Sequence, residues 1–322
     1  MRSRLVISSR LVPEGWSLNL NSLLEILSPD FPLSKSVYSS LLIGAVVPPV
    51  GVFLVLGRRT ILALTLPQVS TLGVALVVWL GSLLGIRFAS GHEEGVFIAW
   101  ALGGALAAIS AALGWQFLCE RRLNSTSAAE SSATYAIAAA VTLALAASRR
   151  VPELGLLETL NGQLLAVPGT LLSVQAVAGL SVLALLWLFE HPIQYALFDR
   201  TLCHASGLPA EWIGGIITTL IAGTVALGGM CAGPLTVFAF LILPPLAFLP
   251  FVKGLKGLYW LSAGSGVLCS YFGFWASYVL EDWNLPISAA QIILLGIVLL
   301  TTRCVALAVP TLRLRRPVAP AK

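Results

Sequence analysis

Long apolar stretches recur along the whole chain, and short polar stretches separate them. A transmembrane helix needs about 20 mostly apolar residues. Nine segments approach that length, namely 38–57, 69–86, 95–118, 133–148, 170–189, 212–231, 234–252, 258–280 and 287–308. The pattern predicts an all-α fold, a polytopic transmembrane helical bundle of about eight to nine spans with short interfacial or re-entrant helices.

Three of these segments are weaker candidates for spans. Segment 69–86 is barely long enough, and 133–148 is short and rich in alanine. Segment 234–252 contains Pro244 and Pro245, which remove backbone donors and should bend the helix. Bent helices commonly flank a translocation path, but helix packing alone also tolerates them, so the proline pair leaves both interpretations open.

Two stretches are too short or too polar to span a membrane. Residues 57–68 begin beside Arg58 and Arg59 and end near Pro67, which suggests a short helix at the inner surface. Residues 151–168 carry leucines at roughly helical spacing, which suggests a re-entrant or surface helix on the outer side.

The chain divides into three parts by composition. Residues 11–35 place apolar side chains at three- and four-residue steps among polar ones, as in an interfacial amphipathic helix. We therefore expect residues 1–35 to form an amphipathic or flexible N-terminal segment. Residues 36–310 form the transmembrane domain, and 311–322 form a basic tail.

Composition indicates that this protein lies in a lipid bilayer. Hydrophobic residues make up 57% of the chain and charged residues only 10%, whereas soluble domains carry about 25% charged residues. The mean hydropathy is +0.92. Such a chain lacks the polar surface that water requires, so the sequence predicts a multi-pass protein of the inner, cytoplasmic membrane, with the lipid bilayer as its partner.

The distribution of charge predicts an orientation. With the N-terminus outside and the spans alternating, twelve of the 19 basic residues fall inside and nine of the 14 acidic residues fall outside. An excess of positive charge on the inside is typical of membrane proteins. This orientation makes the polar 190–211 segment and the C-terminal tail cytoplasmic. No basic run is interleaved with aromatic residues, so nucleic acid is not an expected partner.

Several classes of catalytic site are missing from the sequence. There is no phosphate-binding Gly-x-x-x-x-Gly-Lys-Ser/Thr loop, no His-Glu-x-x-His and no Gly-x-Ser-x-Gly. The spans carry almost no ionisable residue, which argues against a proton-driven transporter, since proton relays need such groups. The five cysteines form no Cys-x-x-Cys pair. We therefore expect no enzyme activity and no cofactor in this chain.

Uncharged polar residues do enter the apolar segments. Gln68, Ser70 and Thr71 cluster near the start of the second span. Serine and threonine in spans usually pack or bond to the backbone, whereas an amide at membrane depth needs a partner or a wet cavity. With the outer 151–168 stretch and the second proline pair, the candidate translocation-path residues are Gln68, Ser70, Thr71, Asn161, Gln163 and Pro244.

Four sequence motifs follow one another along the chain: Leu-Gly-Arg-Arg leading to Leu-Pro-Gln-Val-Ser-Thr-Leu-Gly-Val-Ala (56–75), Leu-Asn-Gly-Gln-Leu-Leu-Ala-Val (160–167), Leu-Phe-Asp leading to Ala-Ser-Gly-Leu-Pro (197–209), and Ala-Gly-Pro-Leu through Leu-Ile-Leu-Pro (232–244). Together they resemble the metal-ion ABC transporter permeases, the membrane subunits of zinc, manganese or iron importers. Each stretch alone is weak, and their order makes the combination more specific.

The resemblance implies a function and partners. The chain would be a permease subunit that works as a dimer, either with a second copy or with a sister permease. A separate ABC ATPase would drive alternating access, and an extracytoplasmic metal-binding protein would deliver zinc, manganese or iron for import. The metal-binding residues stay unassigned.

The resemblance also gives the 190–211 segment a role. In such importers a short cytoplasmic helix of the permease sits in a groove of the ATPase, and the residues that would frame it here are Phe198, Asp199, Arg200, Gly207, Leu208 and Pro209. The alternative for this segment is an ordinary solvated loop.

Departures from the family pattern affect the side chains expected to face the metal. The family's histidine is replaced by Gln68, and Gln163 stands where the family has an acidic or small residue. Arg200 stands where the family has a proline. An amide oxygen is a poor zinc ligand. The sequence therefore leaves open a different metal, an iron chelate or another small substrate, and also a membrane enzyme or a non-transporting membrane scaffold.

Overall fold

The computed structural model describes residues 26, 28, 31–57, 60–83, 103–110, 114, 127–147, 169–198, 210–279 and 285–308. Every regular element in these ranges is a helix, which confirms the predicted all-α bundle. The helices are α1 (Ser34–Leu56), α2 (Thr60–Leu83), α3 (103–110), α4 (Ser127–Ala146), α5 (Gly169–Leu188), α6 (Glu190–Phe198), α7 (Ala210–Ala232), α8 (Pro234–Phe248), α9 (Leu255–Val279) and α10 (Ile287–Ala308).

Five stretches of the described helices are long and apolar enough to cross a membrane: Ser34–Leu56, Ala63–Gly81, Gly169–Leu188, Ile213–Ala232 and Ile287–Ala308. Their bounds agree with the predicted spans to within a few residues, except in α2. Of the predicted span 95–118, the structure describes only 103–110 and residue 114.

Helix α1 is the centre of the bundle. It contacts α2, α5, α7, α8 and α9. Within its most apolar stretch 72% of the residues are buried, against 28% in α5 and 22% in α10. A helix that is apolar on all sides belongs in the interior, and here the remaining helices and the lipid share the outer surface.

Two proline–glycine contacts bring other helices close to α1. Pro48 has no N–H, so the carbonyl of Gly44 loses its usual helical partner. Gly266 of α9 lies against that carbonyl, and a Cβ at Gly266 would be 2.2 Å from the Gly44 oxygen. Only glycine permits this approach of two backbones, which a Cα–H···O contact can stabilise.

In the second contact the proline belongs to α8 and the glycine belongs to α1. Pro245 of α8 removes the usual helical partner of the Leu241 carbonyl. Gly51 of α1 lies beside this carbonyl, and a Cβ there would be 1.9 Å from the Leu241 oxygen. The proline pair that was predicted to bend a span therefore also creates a packing surface for α1.

A single residue, Gly233, connects α7 to α8. Its φ of 82° and ψ of 158° belong to a region that is almost restricted to glycine. Val237 in the first turn of α8 and Val47 in the middle of α1 both lie close to Gly228. Helix α8 therefore starts at the depth of the middle of α1, inside the bundle, where buried irregular backbone is tolerated.

Helix α8 differs from the predicted span 234–252. Its 15 residues extend roughly 22 Å at 1.5 Å per residue, which is less than the hydrocarbon thickness of about 30 Å. The segment is a shorter apolar helix, because Gly233 lets the chain turn inside the bundle.

The predicted interfacial helix at 57–68 is wrong. Helix α2 runs without interruption from Thr60 to Leu83 and includes Pro67. Neighbouring helices can accommodate a proline within a spanning helix. Ala63 and Leu66, which belong to the turn before Pro67, are buried in the main core. Tertiary packing therefore preserves the helix across the position where local chemistry predicted its start.

The last part of the N-terminal segment packs on the bundle. Ile26 and Phe31 are buried with Val37 of α1 and Phe274 of α9 in a second apolar cluster. The ring of Phe31 meets Tyr278 edge to face, with centroids 5.5 Å apart. Most of the predicted amphipathic helix within 11–35, the whole 151–168 stretch and the 311–322 tail lie outside the described residues.

Candidate functional site

A buried glutamine connects α5, α1 and α7. Gln175 is 6% exposed. Its Oε1 accepts hydrogen bonds from Ser39 Oγ at 2.7 Å and from Cys231 Sγ at 3.6 Å, and its Nε2 donates to the Ser39 carbonyl at 3.2 Å. The amide is therefore satisfied on both sides and holds three helices at one level.

A second buried glutamine does the same for α10, α9 and α1. Gln291 is 1% exposed. Its Nε2 donates to Ser40 Oγ at 2.6 Å and to the Ser270 carbonyl at 3.2 Å. The hydroxyls of Ser40 and Ser270 also bond to each other at 2.5 Å. Adjacent serines of α1 thus anchor two separate amide networks.

Sequence reasoning missed both glutamines. Gln175 and Gln291 carry the signal that singled out Gln68, an amide inside an apolar span that needs a partner or a wet cavity. The structure shows that these two have protein partners. Their networks belong to the rigid core, and they do not require a substrate or solvent.

A cleft of about 160 Å³ lies beside Gln175, between α1, α5 and α7. Its walls are mainly apolar. The two threonine hydroxyls in its wall bond to their own helix, Thr219 to the Gly215 carbonyl at 2.9 Å and Thr224 to the Leu220 carbonyl at 2.7 Å. The cleft therefore offers few free polar groups, and it suits an apolar occupant better than a metal ion.

The predicted path residues on α2 have different surroundings from one another. Thr71 is buried, and its hydroxyl donates to the Gln68 carbonyl at 2.7 Å. Ser70 is buried, and its hydroxyl lies beside Gly104 of α3. Gln68 is half-buried, and its side-chain amide has no hydrogen-bond partner within the described ranges. Of the three, Gln68 is the partly exposed side chain, and its amide can still bind a ligand.

The remaining predicted path residues are only partly placed. Pro244 is buried within α8. Asn161 and Gln163 lie outside the described residues. None of Gln68, Ser70, Thr71 and Pro244 lines the cleft beside Gln175, so the structure does not bring the predicted path residues together there.

The polar 190–211 segment begins as a helix. Helix α6 follows α5 after the single residue Phe189, whose N–H still bonds to the Leu185 carbonyl at 2.9 Å. Ile193 is buried in the main core, so the first half of the segment packs on the bundle. Phe198 is the last residue of α6, and Asp199, Arg200, Gly207, Leu208 and Pro209 lie outside the described ranges.

A buried carboxylate lies at the start of α6. Glu190 is 6% exposed. Its Oε2 is 3.4 Å from Lys256 Nζ in the first turn of α9, and its Oε1 accepts a hydrogen bond from Gln194 Nε2 at 3.1 Å. The end of α5 and the start of α9 therefore lie together, as the predicted alternation of spans requires.

The whole helical region matches one known family. Residues 31–306 match the ABC 3 transport family. The chain belongs to this family. Members are membrane subunits of transporters, so the chain is a transport subunit, not itself an enzyme, and it is a multi-pass protein of the cytoplasmic membrane.

Known ABC 3 relatives and similar folds agree with this assignment. The chain is 23% identical over 250 residues, 77% of its length and 80% of the relative's, to the manganese transport system membrane protein MntC of Halalkalibacterium halodurans. The fold resembles PsaBC from Streptococcus pneumoniae in complex with Fab, with a TM-score of 0.72, 20% identity and coverage of 88% of this chain and 95% of that one.

A second solved structure has the same fold. It is a metal-chelate type ABC transporter in an inward-facing conformation, with a TM-score of 0.65, 16% identity and coverage of 91% of this chain and 92% of that one.

In the part of the ABC 3 chain that the structure describes, no three His, Cys, Asp or Glu side chains lie together as a metal site would need.

Proposed function

We propose that this chain is the membrane-spanning permease of an ABC importer that moves a divalent metal ion, zinc, manganese or iron, into the cytoplasm. Membership of the ABC 3 transport family carries the proposal, and the manganese transport protein MntC among its relatives supports a metal ion as substrate. Two copies, or this chain and a sister permease, form the path.

Import proceeds by alternating access. A ligand or motor shifts the balance between two states only as far as it binds one of them better. Here a separate ABC ATPase acts through the cytoplasmic 190–211 segment, and an extracytoplasmic metal-binding protein delivers the ion. The buried amide networks around Ser39 and Ser40 support this mechanism, because they give the motor a rigid body to move.

Gln68 is the residue that we place in the path. Its side chain is half-buried in α2, its amide has no partner among the described residues, and its backbone carbonyl accepts a hydrogen bond from Thr71. Ser70, Asn161, Gln163 and Pro244 are the other proposed path residues, whereas the Thr71 hydroxyl bonds within its own helix. An amide oxygen binds a metal ion weakly, which suits a site that a substrate must leave.

An iron chelate is the second candidate substrate. The resemblance of the fold to a metal-chelate type transporter favours it, and so does an amide, rather than a histidine, at position 68. A chelate keeps its metal ligands and needs polar and apolar contacts from the protein, which this chain supplies more readily than thiolates or carboxylates.

Transport by the reconstituted complex tests the function. The chain and the ATPase subunit of its transporter are placed in proteoliposomes with the binding protein, and accumulation of Zn²⁺, Mn²⁺, Fe²⁺ and a ferric chelate is measured with and without ATP. We expect ATP-dependent accumulation of one of the three ions. Accumulation of the chelate alone would favour the second candidate, and no accumulation of any solute would favour a scaffold.

Co-purification tests the docking role of the 190–211 segment. Replacing Asp199 with Ala and Gly207 with Val should release the ATPase from the membrane complex, whereas Lys253→Gln, a charge change elsewhere on the same side, should not. Retention of the ATPase by the double variant would contradict docking at this segment.

A further inference from the structure

Among the residues whose side-chain burial the structure describes, Glu190 is the only buried charged one. Glu190 is the first residue of α6, just after the end of α5. Helix α5 belongs to the bundle, whereas α6 is the first part of the 190–211 segment. Both carboxylate oxygens have partners, Gln194 one turn later on α6 and Lys256 on α9. A buried charge is tolerated only when it is paired in this way.

The partner side of this contact reaches the centre of the molecule. Lys256 is itself 70% exposed, so its charge lies at the surface while the carboxylate lies beneath it. Tyr259, one turn further along α9, packs its ring on Phe53 near the inner end of α1, with centroids 5.4 Å apart. Tyr259 thus connects the part of α9 that lies beside Glu190 to α1.

The backbones of α9 and α1 are in direct contact. At Gly44 and Gly266 there is no side chain between them that could deform, and Ser40 and Ser270 bond across the same interface. Densely packed elements move together as rigid bodies and do not bend gradually.

We propose that Glu190 is a positioning residue that transmits the movement of the cytoplasmic segment to α9 through its ion pair with Lys256. The proposal rests on the function proposed above. Movement of the segment by the ATPase pulls on α6, the pair carries this movement to the first turn of α9, and α9 carries it to α1. Without the pair, α6 moves independently of α9, and ATP is hydrolysed with less transport.

The ratio of ions imported to ATP hydrolysed separates this role from simple stabilisation. A pair that only stabilises the fold would change the thermal midpoint and the amount of active complex, but each active complex would keep its ratio. A pair that transmits movement changes the ratio in complexes that are folded and hydrolyse ATP.

The experiment compares five variants of the reconstituted complex. Lys256→Gln and Glu190→Gln remove the pair, Lys256→Arg preserves it, and the double variant Glu190→Lys with Lys256→Glu reverses it. Lys253→Gln is the matched control, because it removes an exposed positive charge only three residues away. Ion import, ATP hydrolysis and the thermal midpoint are measured on the same preparations.

We expect Lys256→Gln and Glu190→Gln to lower the ratio about two- to fivefold, the effect of losing a partly exposed ion pair. Lys256→Arg and Lys253→Gln should keep the wild-type ratio, and the reversed pair should recover part of it. If Lys256→Gln does not fold, Glu190→Gln, which leaves only an exposed lysine unpaired, answers the same question.

Two failures are distinguishable. A wild-type ratio in both neutralised variants would overturn the coupling role and leave the transport function standing. A wild-type complex that hydrolyses ATP but imports no ion or chelate would overturn the proposed function, and the coupling role with it.

Discussion

Buried polar side chains in this bundle differ in whether they have partners. Ser40 bonds to Ser270 and Gln291, whereas Ser262 of α9 is fully buried and its hydroxyl has no partner among the described residues. A buried hydroxyl without a hydrogen-bond partner destabilises the folded state, because it loses its hydrogen bonds to water and forms none in the protein. Two serines of similar burial should therefore respond oppositely to the same substitution.

We predict that Ser40→Ala lowers the stability of the detergent-solubilised protein by about 0.6–2 kcal/mol, the range for interhelical hydrogen bonds in membranes. Ser262→Ala should leave the thermal midpoint unchanged or raise it, because it removes an unsatisfied polar group. Thermal unfolding of both variants beside wild type is the measurement. A midpoint that falls more for Ser262→Ala than for Ser40→Ala would contradict this interpretation.

Packing between helices depends on glycines that lie against freed carbonyls. Gly51 touches the Leu241 carbonyl that Pro245 leaves without a helical partner, and Gly266 touches the Gly44 carbonyl that Pro48 leaves free. Each proline weakens its own helix locally and gives a neighbouring helix room to approach. The tolerance of a glycine position to substitution should therefore depend on what its Cβ would meet.

Gly51→Ala should destabilise the protein by about 1–3 kcal/mol, the usual range for overpacking, because its Cβ would fall on the backbone of α8. Gly296→Ala in α10 is the control, since a Cβ there would meet nothing within 4 Å and alanine favours a helix by about 0.5–1 kcal/mol. Chemical or thermal unfolding compares the two. Equal effects of both substitutions would show that α1 and α8 are not in close contact.

Arg303 of α10 caps the C-terminal end of α8. Pro250 has no N–H to offer the Leu246 carbonyl near the end of α8, and Arg303 Nη2 of α10 donates to this carbonyl at 3.0 Å. We predict that Arg303→Leu costs about 0.5–1.5 kcal/mol. In a Pro250→Ala background the cost should be smaller, because an N–H is restored at position 250. A double-mutant cycle on thermal stability with no coupling would disprove the capping role.

The topology of the whole molecule follows from which helix ends lie together. The Glu190–Lys256 pair unites the end of α5 with the start of α9, and the Arg303–Leu246 bond unites the ends of α8 and α10. Both contacts agree with the alternation predicted from the distribution of charge. The positive-inside tendency then places these ends in the cytoplasm.

Cysteine labelling tests that orientation in the whole protein. In a chain whose five cysteines are replaced by alanine, Lys253→Cys should react with a membrane-impermeant maleimide in inside-out vesicles only. Gly169→Cys, at the exposed start of α5, should react in right-side-out vesicles only. The opposite pattern would reverse the predicted orientation.

Much of the fold could be predicted because a bilayer leaves few alternatives. Long apolar segments must form helices there, so most helix boundaries were predicted to within a few residues. The errors occurred at Pro67 and at Gly233, where local chemistry suggested one outcome and neighbouring helices decided another. The site was harder, since Gln68, Gln175 and Gln291 look alike in the sequence.

The sequence by itself determined the class of the molecule and its resemblance to a transporter family, and it predicted an orientation, because hydropathy, motif order and charge distribution are properties of the chain. Only the tertiary structure decided which amides are satisfied, which glycines bring backbones together and which lysine meets Glu190. Those answers depend on contacts between residues as many as 251 positions apart, as for Ser40 and Gln291, and no local pattern encodes which distant partner a buried polar group will meet.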